Sequence, residues 1–318
     1  MADVRKLEAL SRLAAMAEPA APKPSHRGIA IVFAILSLSV VSLMLFKRAT
    51  KTAVELEALV TAVRFRITEP VQSRSLLVKS ISVSGANISD PDEVLGRAPV
   101  GARIEADGGA ITVQHIKLSN ATVVTLERDS QSALQFDING EGAVIEVSLS
   151  GKLRVSGRPA EFKIPRSLSF TTGASPADIR FVFPGDADAD LFRQWPIDSL
   201  STFEADESRT RRVSSIKSGA IFFEELNSQE RKLREAEHIQ FGAVDGRIRT
   251  ARFTKGEIAL RFDGTIQGLT TGAGDPRPLM PTWLDLARAN QPLVLLWTTA
   301  AYIIGVLFAI LKWLDFNV

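Results

Sequence analysis

The sequence predicts a mainly β protein: an antiparallel β-sandwich of jelly-roll type, outside the bilayer and bracketed by two transmembrane helices. Three observations carry that prediction. Two uncharged apolar runs of 19 residues, 28–46 and 293–311, flank the middle of the 318-residue chain. At a rise of about 1.5 Å per residue each is roughly 28 Å long, close to the ~30 Å hydrocarbon core of a bilayer. Between them apolar residues recur with period two, and turn residues punctuate the pattern at spacings of about 8–12 residues, as in antiparallel sandwiches.

In chain order, residues 1–27 form a tail. Val4, Leu7, Leu10, Ala14 and Ala17 fall at helical spacing, so a short amphipathic helix is expected over 3–17. Isolated helices of that length are barely stable. Residues 18–26, EPAAPKPSH, are a Pro/Ala spacer. The run 28–46 is too long for a signal-peptide core and is followed at once by Lys47 and Arg48, so it reads as an uncleaved signal anchor.

The β-rich region is expected over 47–281. Val54, Leu56, Ala58 and Val60 alternate, and Val63, Phe65 and Ile67 alternate in the opposite phase. That slip predicts a β-bulge near Thr61–Ala62, with a helical stalk over 52–63 as the competing reading. Strands are expected over 76–83, 111–118, 122–127, 133–138, 143–149, 152–155, 162–170, 179–183, 213–217, 220–223, 238–243, 247–254 and 257–267. Asn139-Gly140, Gly151, Asp245-Gly246 and Asp263-Gly264 are expected as turns. The irregular stretch 184–198 is a candidate boundary between two subdomains or a long excursion within one, and 224–237 reads as helix-forming or polar. A similarity between 108–127 and 245–262, each Gly, strand, polar turn, strand, raises an old duplication as a weak expectation.

Three prolines in 272–281 end the sheet pattern. Thr282 is placed to cap an interfacial helix over 282–291. The second span is expected over 292–311, with a short tail at 312–318. Trp283 and Trp297 would mark one membrane boundary, and Lys312 with Trp313 the other.

Charge narrows the partners. The chain has 38 Lys/Arg and 36 Asp/Glu; five basic and three acidic residues lie in 1–27, and one of each in 312–318. That leaves 32 of each sign between the runs. A neutral domain lacks the one-sided field that nucleic-acid binding needs. The absence of cysteine excludes disulfides, thiolate nucleophiles and Cys-ligated metals. Positive charge flanks the first run almost equally on both sides. Charges in a long translocated domain count for less, which places both termini in the cytoplasm and the β domain outside, at an inner membrane with a periplasmic domain.

Few residues announce chemistry. Asp186, Asp188 and Asp190 open like a calcium loop, but Leu191 and Ile197 stand where such a loop needs its Gly and Glu, so they are a weak calcium candidate. His26, His115 and His238 form no metal-binding spacing. No nucleophile elbow or phosphate loop is present, and no cofactor is expected. The basic clusters Arg209, Arg211, Arg212 and Arg231, Lys232, Arg234 are nearly cancelled by Glu207, Glu230 and Glu235, so they read as solvated, paired charge. In the second run Ala301, Gly305 and Ala309 make a small-residue stripe, echoed by Ala30 and Ala34 in the first. Close packing over small residues is what joins helices in lipid, so these five are the expected helix-packing positions.

Together these features imply a non-enzymatic binding, scaffold or sensor protein that presents a β-sandwich at the surface of a bacterial envelope membrane. Its partners would be lipids and a protein, or a second copy, met through the transmembrane helices. One alternative is a lipid- or glycan-handling module with an apolar groove in the sandwich, an architecture similar to that of envelope lipid-transport proteins with a membrane-tethered jelly roll, though architecture fixes no function. A second alternative is an enzyme with dispersed residues.

Overall fold

The computed structural model describes residues 47–90, 101–128, 133–173, 175–183, 189–192, 194–205, 212–254, 256–272 and 275–289. Within the apolar runs it describes 35, 37, 39, 42, 298–302, 304–306 and 309, all of them helical. The chain divides into two compact units, Met1–Arg48 with Thr282–Leu284, and Ala49–Pro281 with Asp285–Val318.

The strands are β1 (Thr52–Val60), β2 (Ala62–Ile67), β3 (Val71–Gln72), β4 (Leu76–Val78), β5 (Ser80–Ser84), β6 (Ala86–Ser89), β7 (Gly101–Ala106), β8 (Ala110–Leu118), β9 (Val123–Arg128), β10 (Ala133–Asn139), β11 (Val144–Val155) and β12 (Arg158–Thr172). They continue as β13 (Ala177–Val182), β14 (Ala189–Phe192), β15 (Trp195–Ser201), β16 (Phe203–Ala205), β17 (Arg212–Ser214), β18 (Ile216–Phe223), β19 (Gln229–Leu233), β20 (Ile239–Thr254), β21 (Glu257–Thr271) and β22 (Arg277–Pro278). One short helix, α1 (Trp283–Ala289), follows.

The protein is mainly β, as expected, and its strands form one large antiparallel sheet with β16 and β17 as a separate pair. The ladder runs β19–β18–β1–β21–β20–β15–β2–β9–β10–β13–β5–β7–β11. Strand β12 covers the whole of one edge of β11, so β8 and β7 share the other edge end to end. One face of the sheet is packed into a common core, as in a sandwich. Trp195, Phe65, Phe136, Phe170, Phe181, Phe253 and Phe262 are its largest fully buried side chains. Each contributes roughly 1.5–3 kcal/mol over leaving it in water.

The phase slip at Thr61 is real. Thr52, Val54, Leu56, Ala58 and Val60 point inward from β1, and then Ala62 and Val63 are both buried. Thr61 sits at the break, where its N–H donates to the Ser215 carbonyl at 2.9 Å and its own carbonyl accepts from Arg128 N at 2.8 Å. The buried Ser215 hydroxyl reaches the carbonyls of Ala62 (2.5 Å) and Thr202 (2.9 Å). The alternative helical stalk over 52–63 is therefore wrong: both neighbouring segments find strand partners.

Other expectations are corrected. Gly151 is no turn; it sits inside β11 at a register shift opposite β12, with φ 76° that suits glycine. The actual turn joining these strands is Ser156-Gly157, with φ 48° and 82°. Asp245-Gly246 and Asp263-Gly264 are also mid-strand, paired with each other across β20–β21. The stretch 184–198 is not wholly irregular: it contributes β14 and the start of β15. Segment 224–237 holds a three-residue 3₁₀ turn and β19. The echo between 108–127 and 245–262 is not structural: β20 and β21 form a hairpin, whereas β8 pairs with β11 and β9 with β10 and β2.

In the first unit Arg48 bridges Thr282, and Trp283 N donates to the Lys47 carbonyl at 3.0 Å. In the second, Ala49 N donates to the Pro281 carbonyl at 2.9 Å. The segments entering and leaving the β region are thus hydrogen-bonded to each other. Asn227, in the left-handed region, donates its side-chain amide to the Ala289 carbonyl at the end of α1 (3.1 Å). Among the described residues no helix is long and apolar enough to cross a membrane. Most of 28–46 and 292–311, and all of the tails 1–27 and 312–318, lie outside the described residues.

Candidate functional site: a groove across five strands

Five neighbouring strands, in the order β20–β21–β1–β18–β19, present one face to the core and the other outward. Because side chains alternate along each strand, the ladder register decides which outward residues become neighbours. One row reads Arg252, Ala259, Leu59, Ser218. The next reads Thr250, Arg261, Glu57, Ala220, Lys232. The third reads Asp263, Glu55, Phe222, Glu230.

Apart from Ser218, Glu55 and Asp263, these residues line a groove of about 740 Å³. Leu59, Ala220, Phe222 and Ala259 give it an apolar floor, and Glu57, Arg261, Arg252, Lys232 and Glu230 give it charged walls. Arg261 lies across β1, with Nε 2.8 Å from Glu55 and Nη2 2.5 Å from Glu57. Arg249, the extra residue at a register shift in β20, holds Asp263 in a two-point pair at 2.6 and 3.1 Å. The Asp263 hydrogen bond, and then its charge, raise the Arg249 pKa. Such exposed pairs add little stability, so their main effect is to fix where charge stands on this face. On β19, Glu230 lies opposite Phe222 and Lys232 opposite Ala220, so neither meets an opposite charge across β18.

The residues singled out from sequence are not in this groove, apart from Lys232 and Glu230 of the basic-cluster reading. Asp186 and Asp188 lie outside the described residues, and Asp190 is in β14, paired in the ladder with Arg252. Among the described residues no group of three or more His, Cys, Asp or Glu is arranged to hold a metal. His115 stands 3.0 Å from Glu146, with Lys117 3.7 Å from the same oxygen. His238 packs against Phe203, ring centres 4.4 Å apart, so the two histidines have separate surroundings. Arg231 pairs with Glu237 (2.9 Å), and Glu235 with Lys217 (3.4 Å). Arg209, Arg211 and Glu207 lie outside the described residues.

Ala301, Gly305 and Ala309 are all helical and exposed, and no described atom lies within 4 Å of where a Cβ on Gly305 would stand. Ala30, Ala34, Trp297, Lys312 and Trp313 lie outside the described residues. Trp283 opens α1 and is 47% exposed. The groove escaped sequence reading because β1 comes from a stretch of chain far from the run β18 to β21, and β19 was not recognised as a strand.

No protein-family model, curated protein or solved structure matches the chain.

Proposed function

We propose that this chain is a non-catalytic binding module, tethered to a membrane by its two apolar runs, which uses the outer face of β18, β1 and β21 to hold a partner protein. The observation that carries this reading is the groove itself: an apolar floor between walls that bear charges of both signs. A purely anionic ligand would meet Glu57 and Glu230 as well as Arg252 and Lys232. An extended polypeptide with apolar side chains on one face and mixed charges beside them complements all of these. The tether is supported by two 19-residue uncharged runs, by the helical state of every described residue in them, and by hydrogen bonds that hold entry and exit together at Lys47–Trp283 and Ala49–Pro281. The domain then faces away from the cytoplasm, with both termini inside.

A photo-reactive amino acid placed at Leu59 or Phe222 in cells tests the site. A discrete protein adduct is expected there, lost when Ala259→Arg fills the floor, and absent from the same probe at Ser82 on another part of the sheet. Equal labelling from Ser82, or no adduct from either groove position, overturns the proposal.

A further inference from the structure

Strand β19 ends the ladder beside the groove. Its one described strand partner is β18, and its other edge is open among the described residues. Gln229, Glu230 and Lys232 are exposed. An open edge is a template for another strand, and proteins commonly guard such edges with proline, with charged side chains (lysine above all) or by keeping the strand short; charges of both signs, as on β19, oppose only those registers that bring like charges together. The outer half of β12 carries proline, Pro159 and Pro165, in a stretch whose one described strand partner is β11. Strand β19 reads Gln-Glu-Arg-Lys-Leu and has no proline.

We propose that two copies of this chain associate edge to edge through β19, antiparallel about a two-fold axis at Arg231. A two-fold axis perpendicular to a continuous sheet keeps each side chain on its own face, so the axis must pass through a residue. An axis at Glu230 sets Glu230 against Glu230, and one at Lys232 sets Lys232 against Lys232. Only the axis at Arg231 sets Glu230 opposite Lys232, and it does so twice. Neither residue has an opposite charge across β18 within its own chain, because Phe222 and Ala220 occupy those places. Arg231, which then meets its own copy on the other face, already carries its counter-charge: Glu237 lies 2.9 Å away in the same chain. The association continues the five-stranded face into ten strands and joins the two grooves. It goes beyond the groove reading and is measured with no groove ligand present.

Charge reversal tests it on the full chain in detergent micelles, with association followed by energy transfer between labelled copies. Wild type is expected to dimerise. Glu230→Lys alone and Lys232→Glu alone each place like charges opposite one another twice, and each should weaken self-association about tenfold or more. An equimolar mixture of the two variants should restore pairing, because each substituted position then lies opposite a charge of the other sign on the second chain. The doubly reversed chain should again dimerise with itself. The cysteine-free background adds a test of register: Glu230→Cys mixed with Lys232→Cys should form an intermolecular disulfide, since directly opposed residues have Cα atoms about 4.5–5.5 Å apart, within disulfide range. Both positions are exposed, so thermal melts should match wild type. A monomeric wild type overturns the proposal. So does a dimer indifferent to the single reversals, which would be held by the apolar runs, and so does a mixture that fails to pair.

Discussion

Gly246 and Gly264 face each other across β20 and β21 so closely that a Cβ on Gly246 would stand 2.7 Å from the Gly264 Cα. It would also stand 2.7 Å from Cε2 of Phe262, whose ring is fully buried. The aromatic ring thus fills space that two missing side chains leave, and the long hairpin stays continuous through what looks locally like a pair of turns. Glycine normally weakens a strand, by roughly 0.5–1 kcal/mol relative to alanine. Here the sign reverses. Gly246→Ala should destabilise by about 1–3 kcal/mol through overpacking against backbone and ring. Gly173→Ala, where the nearest atom to a Cβ is the Asn87 amide nitrogen at 3.7 Å, should be neutral or slightly stabilising. Thermal or urea melts of the two variants, compared with wild type, decide the matter.

Glu237 gathers the loop after β19. Its carboxylate accepts from Arg234 N (3.0 Å), Thr271 Oγ1 (3.0 Å) and Arg231 Nη2 (2.9 Å). Burial by itself would raise its pKa; the three hydrogen bonds and the Arg231 charge overcome that and hold it below the ordinary value. A depressed folded pKa means stability that is present above the unfolded value, about 4.3, and lost as pH falls through the folded one. Glu237→Gln should therefore lower stability at pH 7 by about 1–2 kcal/mol. The gap from wild type should close on acidification below pH ~4. A gap that stays constant with pH would contradict the assignment.

Asp178 has the opposite behaviour. It lies across β10 and β13 from Asp137, and like charges directly opposite are unfavourable. Burial first, and then the Asp137 charge, raise its pKa, with Arg180 working against both. The native state then holds its proton more tightly than the unfolded chain, so stability is lost as pH rises from the ordinary aspartate value, about 3.9, through the raised one. Above that window the penalty is constant. The side chain keeps solvent access, so the effect is modest: Asp178→Asn should stabilise by a few tenths to about 1 kcal/mol at pH 7. The gain should vanish below the ordinary value, as denaturant melts across pH will register.

The fold was legible wherever burial is one-sided. The slip at Thr61 could be read because Ala62 and Val63 are both core residues, which breaks period two. Strand β19 was not legible, since Glu230, Arg231 and Lys232 are all charged: on its half-buried side the strand carries an arginine paired with Glu237 where an apolar residue would have marked the face, so no alternation appears. The Asp-Gly pairs misled for a different reason. A local turn signal was overruled by the register that sets Gly246 against Gly264, a non-local fact. The groove has the same origin. Arg261 meets Glu55 across 206 residues of sequence, and neither side chain indicates the other in advance. Its wall on β19 depended on an element the sequence did not announce.

The apolar runs yield the last prediction. If both cross a bilayer, the full chain should remain with membranes after alkaline carbonate extraction, and loss of one run alone should leave it attached. Protease added from the extracytoplasmic side should cut at an exposed site engineered beside Gly173 and spare tags at both termini. The small-residue stripe adds a sharper expectation. An ordinary surface glycine in a helix tolerates a larger residue, whereas one at a helix–helix contact in lipid does not, because backbone approach is the source of the attraction. Gly305→Leu should therefore weaken the signal of a transmembrane-association reporter carrying 292–311, while Tyr302→Leu, at a position 73% exposed, leaves it near wild type. Cleavage of the domain from the cytoplasmic side would reverse the topology, and an unchanged reporter signal in Gly305→Leu would remove the stripe from the contact.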